Sequence, residues 1–338
     1  MKQIPVCEPL FLGNEEKYLN EALRSGWISS SGGYIPKFES IFANYCQVAH
    51  GIAVSSGTAA LHLAFEALNL RPGDEVIVPN FTMVATAFAV CYTGATPVFV
   101  DVDPSTWNIS ADEIRKKITK ATKAICVVHI FGTPCDMNSI WTVAKENGLT
   151  VVEDAAEAHG AKYRSRSVGS LSRIAAFSFF ANKIVTTGEG GMVLTDDDEL
   201  AERCRRQRNL SFPLSGPRLY LHDSIGFNYR MSNLHAALGF AQAEQVDVYK
   251  NLRIRNGLLY RKLLSQIPGI SLQEIHQQDD PVFWMNGIII EKSFGATREQ
   301  LMEYLNEKGI ETRRFFLGMN QQPAMSKFLG NTQEDFPQ

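Results

Sequence analysis

Short apolar runs alternate with helical stretches through the first half of this chain, and that alternation limits the folds open to it. The runs cover residues 52–54, 75–79, 97–101, 123–130 and 150–154. Between them, residues 59–68, 81–92, 111–119 and 139–147 carry a helical period. Strand and helix in turn, at this spacing, predict right-handed crossovers and an α/β fold. Its mostly parallel sheet is flanked by helices on both faces. In such sheets ligands sit at the carboxyl ends of the strands. Thr58, His129, Asp154 and Lys183 all fall at or just beyond those ends.

The stretch 176–192, AFSFFANKIVTTGEGGM, carries the most chemistry. It opens as a buried strand, presents one cation, Lys183, and ends in a glycine-rich turn. Residues 193–195 then return as a strand. Burial disfavours an ammonium ion, so a lysine held here loses proton affinity and can attack a carbonyl. Alternatively its long stem snorkels to the surface. Residues 51–68 read as a strand, a turn of small residues (Ser55, Ser56, Gly57, Thr58) and a helix. Free N–H groups and hydroxyls at such a helix start suit a phosphate, or Ser56 simply caps the helix. Asp154 ends an apolar strand, where a carboxylate is costly without a cationic partner. A protonated ring nitrogen would serve, and so would a structural ion pair. Glu157 is close enough to reach the same ligand. His159 could also reach it, or serve as a core residue.

Composition narrows the classes. The net charge is −3, and the only basic cluster, residues 203–208, reads as the solvated face of a helix. Nucleic acid is therefore not an expected partner. No apolar run has membrane-spanning length, and the start, MKQIPVCEPL, lacks a signal core, so a cytoplasmic protein is expected. Cys7, Cys46, Cys91, Cys126, Cys135 and Cys204 form no metal-ligand spacing and read as reduced thiols, mostly in the core. No metal site is expected. Further helices are predicted at 14–25, 35–45, 197–208 and 235–246, followed by a long one through Leu264. A composition change follows. Strands at 282–290 and 309–316, with a helix at 297–308, predict a smaller α+β layer. The division expected is 1–245 for the large domain and 246–338 for the small one.

The motifs SSGTAALHLA, EDAAEAHGA, SFFANKIVTTGEGGM and GFNYRMSN together resemble the DegT/DnrJ/EryC1/StrS family of pyridoxal-phosphate-dependent nucleotide-sugar aminotransferases. The likeness is greatest to the branch that aminates GDP-linked 4-keto-6-deoxy sugars. It implies an aspartate-aminotransferase-like fold and a homodimer with shared sites. By the same resemblance Lys183 holds pyridoxal phosphate as a Schiff base and moves protons. Asp154 pairs with the pyridine nitrogen, and Glu157 sits near the phenolic oxygen. Gly57, Thr58 and Ser178 hold the phosphate, Met83 covers the ring where many relatives have an aromatic, and Asn228 reaches the neighbouring subunit's cofactor. L-Glutamate would be the amino donor. Trp27, Ser29, Arg218 and Arg313 are candidate nucleotide-sugar contacts, with plain structural roles as the alternative.

Two departures stand out. Asn320 occupies the position of the family's usual histidine in FFLGMNQQP, and relatives continue for some tens of residues further. A small domain that looks truncated is expected from the latter. Three other readings remain. One is the same transfer to a UDP- or dTDP-linked sugar. Another is a sugar dehydratase, against which Lys183 argues because such relatives carry histidine there. The last is a catalytically impaired or regulatory member.

Overall fold

The computed structural model describes residues 3–216, 220–329 and 336. Nine strands arise in the first two thirds of the chain. They are β1 (His50–Val54), β2 (Glu75–Pro79), β3 (Thr96–Val100), β4 (Thr122–Val128), β5 (Thr150–Asp154), β6 (Lys162–Tyr163), β7 (Arg166–Ser167), β8 (Ile174–Ser178) and β9 (Gly191–Thr195). Seven of them form one sheet in the order β1-β9-β8-β5-β4-β2-β3. The β2–β3, β2–β4, β4–β5 and β5–β8 pairs are parallel. β9 is antiparallel to both neighbours, so β1 again runs with the rest. The carboxyl ends of β1, β4, β5 and β8 therefore share one edge.

Helices cover both faces. They are α1 (Glu15–Arg24), α2 (Tyr34–Cys46), α3 (Gly57–Ala67), α4 (Ala85–Tyr92), α5 (Ala111–Lys117), α6 (Met137–Asn147), α7 (Asp198–Gln207) and α8 (Asn233–Glu244). Alternation along the strands divides the core. Ile77, Ala175 and Phe177 join Phe38, Phe42 and Phe179 on one face. Val76, Val78, Ile174 and Ala176 join Leu63 and Phe65 on the other. Both faces are buried, as a parallel sheet requires.

The remaining chain forms a smaller layer. It holds α9 (Val246–Leu264), β10 (Ile270–Leu272), β11 (Asp279–Asp280), β12 (Ile288–Ile290) and α10 (Arg298–Glu307). β10 pairs with β12, while β11 pairs with β6. The amino-terminal end lies against this layer, with Ile4 bridged to Ile310.

Several sequence expectations need correction here. Residues 309–316 form no strand: only Ile310 pairs, and the adjacent Phe315 and Phe316 both pack into one aromatic cluster with Phe81 and Phe131. Strand 282–290 shortens to β12, because Val282 and Trp284 are buried against the large sheet's loops. The helix expected from residue 81 begins at Ala85. The arginines of α7 and its end are not a plain solvated face. Arg208 donates to the Ala53 carbonyl of β1 at 2.7 Å and pairs with Glu39, and Arg203 donates to the Ala67 carbonyl at 3.0 Å.

The carboxylate before Asp154 holds the sheet edge in register. Glu153 is fully buried and accepts from Gly169 N at 2.7 Å, Leu171 N at 2.9 Å and Ser172 Oγ at 2.8 Å. Its fourth contact is His129 Nε2 at 3.2 Å. Glu153→Leu strands those donors away from water, at about 1–3 kcal/mol each. Urea unfolding of Glu153→Leu is expected to show a loss of about 3 kcal/mol or more. A midpoint within experimental error of the wild type would contradict this role.

Candidate active site

The shared strand edge brings Lys183, Asp154 and Glu157 together. Strand register does the first part. Asp154 is the last residue of β5 and lies beside Ala176 of β8. Ser178, Gly191 and Val54 then line up across β8, β9 and β1. After Ser178 the chain turns back through Gly188 to Gly191, which sets Lys183 over the edge. Gly191 is required there, since a Cβ would meet the Ser56 carbonyl oxygen at 2.3 Å.

Asp154 is only 5% exposed. Its carboxylate accepts from Thr86 Oγ1 of α4 at 2.7 Å and from Ala156 N at 3.2 Å. Burial raises its proton affinity, while those hydrogen bonds and the charges of Lys183 and His129 partly oppose the rise. Among the described residues it makes no direct ion pair. Glu157 Oε2 accepts from Phe131 N at 2.8 Å. Phe131 has φ 54°, an uncommon angle for an aromatic residue, and this bond helps to hold it. Burial pushes the Glu157 carboxyl up to about 7.

Lys183 is held by aromatic contact, without an ion pair among the described residues. Its Nζ lies 3.7 Å from the centroid of the Trp284 ring. Trp284 Nε1 donates to the carbonyl of Asn182, the preceding residue, at 2.8 Å. Burial lowers the amine's proton affinity, opposed by Glu157 and Asp154. A cation–π contact supports the ammonium form far less than a carboxylate would. The arrangement is a half-buried amine of lowered proton affinity with two buried carboxylates close by.

The start of α3 meets the end of β8 at the same sheet edge. Ser56 Oγ caps α3 by accepting from Ala59 N at 3.1 Å. Gly57 sits against Ser178 so closely that a Cβ would meet the Ser178 Cβ at 2.5 Å. Gly57 thus brings the start of α3 against Ser178 at the end of β8. Met83 stands one turn before Thr86, half exposed.

Other predicted residues lie elsewhere. His129 is a structural residue: Nδ1 accepts from Cys135 N at 3.0 Å while Nε2 faces Glu153. His159 accepts from Val185 N at 3.1 Å among Phe42, Phe177 and Phe179, and burial depresses it to about 3, so it stays neutral. Asn228 is exposed and bridges to Asn209. Trp27 and Ser29 are exposed, with their carbonyls bonded to Asn233 at the start of α8. Arg313 is exposed and pairs with Glu311 at 3.3 Å. Arg218 lies outside the described residues. Asn320, in the histidine's place, exchanges hydrogen bonds with Asn80 after β2. Sequence reading missed Thr86, Trp284 and Phe131. All six cysteines are free thiols. A cavity of about 520 Å³ beside Arg71, Arg173 and Arg203 opens at the opposite, amino-terminal edge of the strands, away from this cluster.

The raised Glu157 carboxyl has a consequence for stability. Its ordinary value is 4.5, against about 7 in the folded chain. Between those values the folded protein holds the extra proton, so stability falls as pH rises through that window. Glu157→Gln removes the contribution. Thermal unfolding of the apoprotein from about pH 5 to about pH 8 should show a steeper decline in the wild type than in Glu157→Gln. Equal slopes would contradict a neutral buried Glu157.

Comparison with known proteins agrees with this geometry. The model of the DegT/DnrJ/EryC1/StrS aminotransferase family matches residues 12–338. A GDP-perosamine synthase of Escherichia coli O157:H7 is 46% identical over 97% of this chain and 88% of that protein. A GDP-perosamine synthase of Caulobacter vibrioides is 45% identical over 96% and 87%. The crystal structure of DesV from S. venezuelae superposes with a TM-score of 0.89 at 35% identity, covering 96% of this chain and 85% of that one. With a lysine of lowered proton affinity at the edge of such a sheet, the chain belongs to the DegT/DnrJ/EryC1/StrS aminotransferase family and is a pyridoxal-phosphate-dependent transaminase.

Proposed function

We propose that this enzyme moves the amino group of L-glutamate to C4 of a nucleotide-linked 4-keto-6-deoxy sugar. The substrate favoured is GDP-4-keto-6-deoxy-mannose and the product GDP-perosamine. The observation that carries this is the Lys183–Asp154–Glu157 cluster in a chain 46% identical to a GDP-perosamine synthase over nearly its whole length. A dTDP-linked sugar is the second reading. A dTDP-3-amino-3,4,6-trideoxy-alpha-D-glucose transaminase of Streptomyces venezuelae is 38% identical over 83% of this chain.

The residues present suit pyridoxal phosphate. The buried Asp154 carboxylate makes no direct ion pair among the described residues, and a protonated pyridine nitrogen would provide one. Gly57, Thr58 and Ser178 would take the phosphate, and Met83 would cover one ring face. Glu157, whose carboxyl burial pushes up to about 7, can donate a hydrogen bond to the phenolic oxygen while it holds its proton. Asn228, exposed on its own chain, would reach the phosphate in a second copy, which makes the working unit a homodimer. When bound, the cofactor supplies an electron sink for the charge left at the donor's Cα.

Lys183 does the proton work. Its low proton affinity lets Nζ act as the base that removes the Cα proton of the donor. Trp284 keeps the freed amine near the reacting atoms and away from water. With a protonated pyridine nitrogen beside it, Asp154 would keep its charge despite its burial. Trp27, Ser29, Arg218 and Arg313 are retained as candidate sugar-nucleotide contacts. So is a unit boundary near residue 245. The homologues named are biosynthetic enzymes, and no helix among the described residues is long and apolar enough to cross a membrane. We place the reaction in the cytoplasm.

The test is incubation of the pyridoxal-phosphate-loaded protein with glutamate and the GDP-, UDP- and dTDP-4-keto-6-deoxyhexoses. Mass spectrometry should find the amine gained on the GDP sugar. Amination confined to the dTDP or UDP sugar would replace that substrate, and no amination of any of the three would overturn the reading.

A further inference from the structure

Thr86 lies near the start of α4, and its hydroxyl departs from the usual habit of a helical threonine. The common course is a bond to the carbonyl one turn back in the same helix. Thr86 Oγ1 donates instead to Asp154 Oδ2 at 2.7 Å, across 68 residues of sequence. The approach is rigid on both sides. Thr86 is fully buried, and Asp154 ends β5, the central strand of the large sheet. Asn80, also buried, fixes the segment that leads from β2 into α4. Its N–H donates to the Val100 carbonyl at 2.8 Å, and it exchanges hydrogen bonds with Asn320 at 2.9 and 3.0 Å.

The bond has a direction. A hydroxyl carries a single proton, and that of Thr86 is spent on the carboxylate. The Thr82 hydroxyl, 3.4 Å from Thr86 Oγ1 and buried with it, is left on the donor side. The other carboxylate oxygen, Asp154 Oδ1, accepts from Ala156 N at 3.2 Å. Thr86 is thus the only side chain that hydrogen-bonds to Asp154 among the described residues. A carboxylate offers about four acceptor sites, so room is left for a ligand's donor. One donor on each oxygen fixes the plane of the group and favours its ionised form. Burial pulls toward the neutral acid, against these bonds and the charges of Lys183 and His129.

We infer that Thr86 is a positioning residue of the transaminase: its hydroxyl holds Asp154 as the oriented carboxylate that a protonated ring nitrogen requires. This rests on the pyridoxal-phosphate reading of the site. The consequence is specific to the ring nitrogen. Without the hydroxyl, the buried Asp154 loses one of its two donors and keeps a proton of its own. It then meets the nitrogen as a neutral acid, and the ion pair that would offset its burial is lost. A threonine that merely packs α4 against the sheet would matter equally for any ligand of the same shape. A ligand that lacks only the nitrogen therefore separates the two roles.

Thr86→Val replaces the hydroxyl with a methyl group of similar shape, and Thr86→Ser keeps the hydroxyl. The full chain is freed of cofactor, and binding is followed by calorimetry with two probes. One is pyridoxal phosphate. The other is its benzene analogue, in which C–H replaces the ring nitrogen while the aldehyde, hydroxyl and phosphate remain. Thr86→Val is expected to weaken pyridoxal phosphate binding by about 10- to 100-fold, the worth of a hydrogen bond to a charged group. The analogue should bind Thr86→Val no more weakly than it binds the wild type, and Thr86→Ser should restore pyridoxal phosphate binding. Equal weakening of both probes, unchanged pyridoxal phosphate binding, or a serine variant as weak as the valine variant would each overturn the proposal while leaving the cofactor reading intact. A wild type that binds neither probe would overturn the cofactor reading, and the proposal with it. If the valine variant does not fold, Thr86→Ala and Thr86→Ser, which differ only in the hydroxyl, give the same comparison.

Discussion

Three ionisable side chains share one nearly dry pocket without a direct ion pair among them, and the rest of the molecule follows from that tension. Burial lowers the proton affinity of Lys183 and raises that of Asp154 and Glu157. A group of this kind is expensive to keep. It survives because the surrounding hydrogen bonds are fixed by backbone and by small side chains. Thr86 and Ala156 serve Asp154, Phe131 serves Glu157, and Trp284 covers Lys183. Perturbed groups gathered in one cleft are a mark of chemistry, and the family relationship gives that chemistry its class.

The fold explains how such a pocket is assembled from distant parts of the chain. β9 runs antiparallel between β8 and β1, which lets the strand after the lysine return and bring Gly191 under Ser56. The start of α3 is thereby fastened to the end of β8. Glu153, facing the opposite side of β5 from Asp154, ties the 169–172 turn to the same edge. Adjacent carboxylates thus divide the labour: one holds the scaffold, and the other makes no direct ion pair among the described residues.

Much of this was legible in the chain. Apolar runs followed by ionisable residues marked the end of β5 and the stretch after β8, and the small residues 55–58 marked the start of α3. Those signals are local. The second ring of contacts is not. Thr86 looks like any helical threonine, and its bond to Asp154 depends on how α4 docks. Trp284 meets the site only through the packing of the smaller layer, about a hundred residues of sequence from Lys183. The misread strand at 309–316 has the same cause: its apolar residues serve an aromatic cluster, and no neighbouring strand offers a ladder. His129 looked functional by position, but its two ring nitrogens were already committed to Cys135 and Glu153.

Lys183 is the lysine whose proton affinity burial lowers, and it is therefore the amine expected to react with an aldehyde. Incubating the protein with pyridoxal phosphate, reducing it with borohydride and mapping the modified peptide would test that directly. The result expected is a single stoichiometric label on Lys183. A label spread over surface lysines, with Lys183 unmodified, would contradict it.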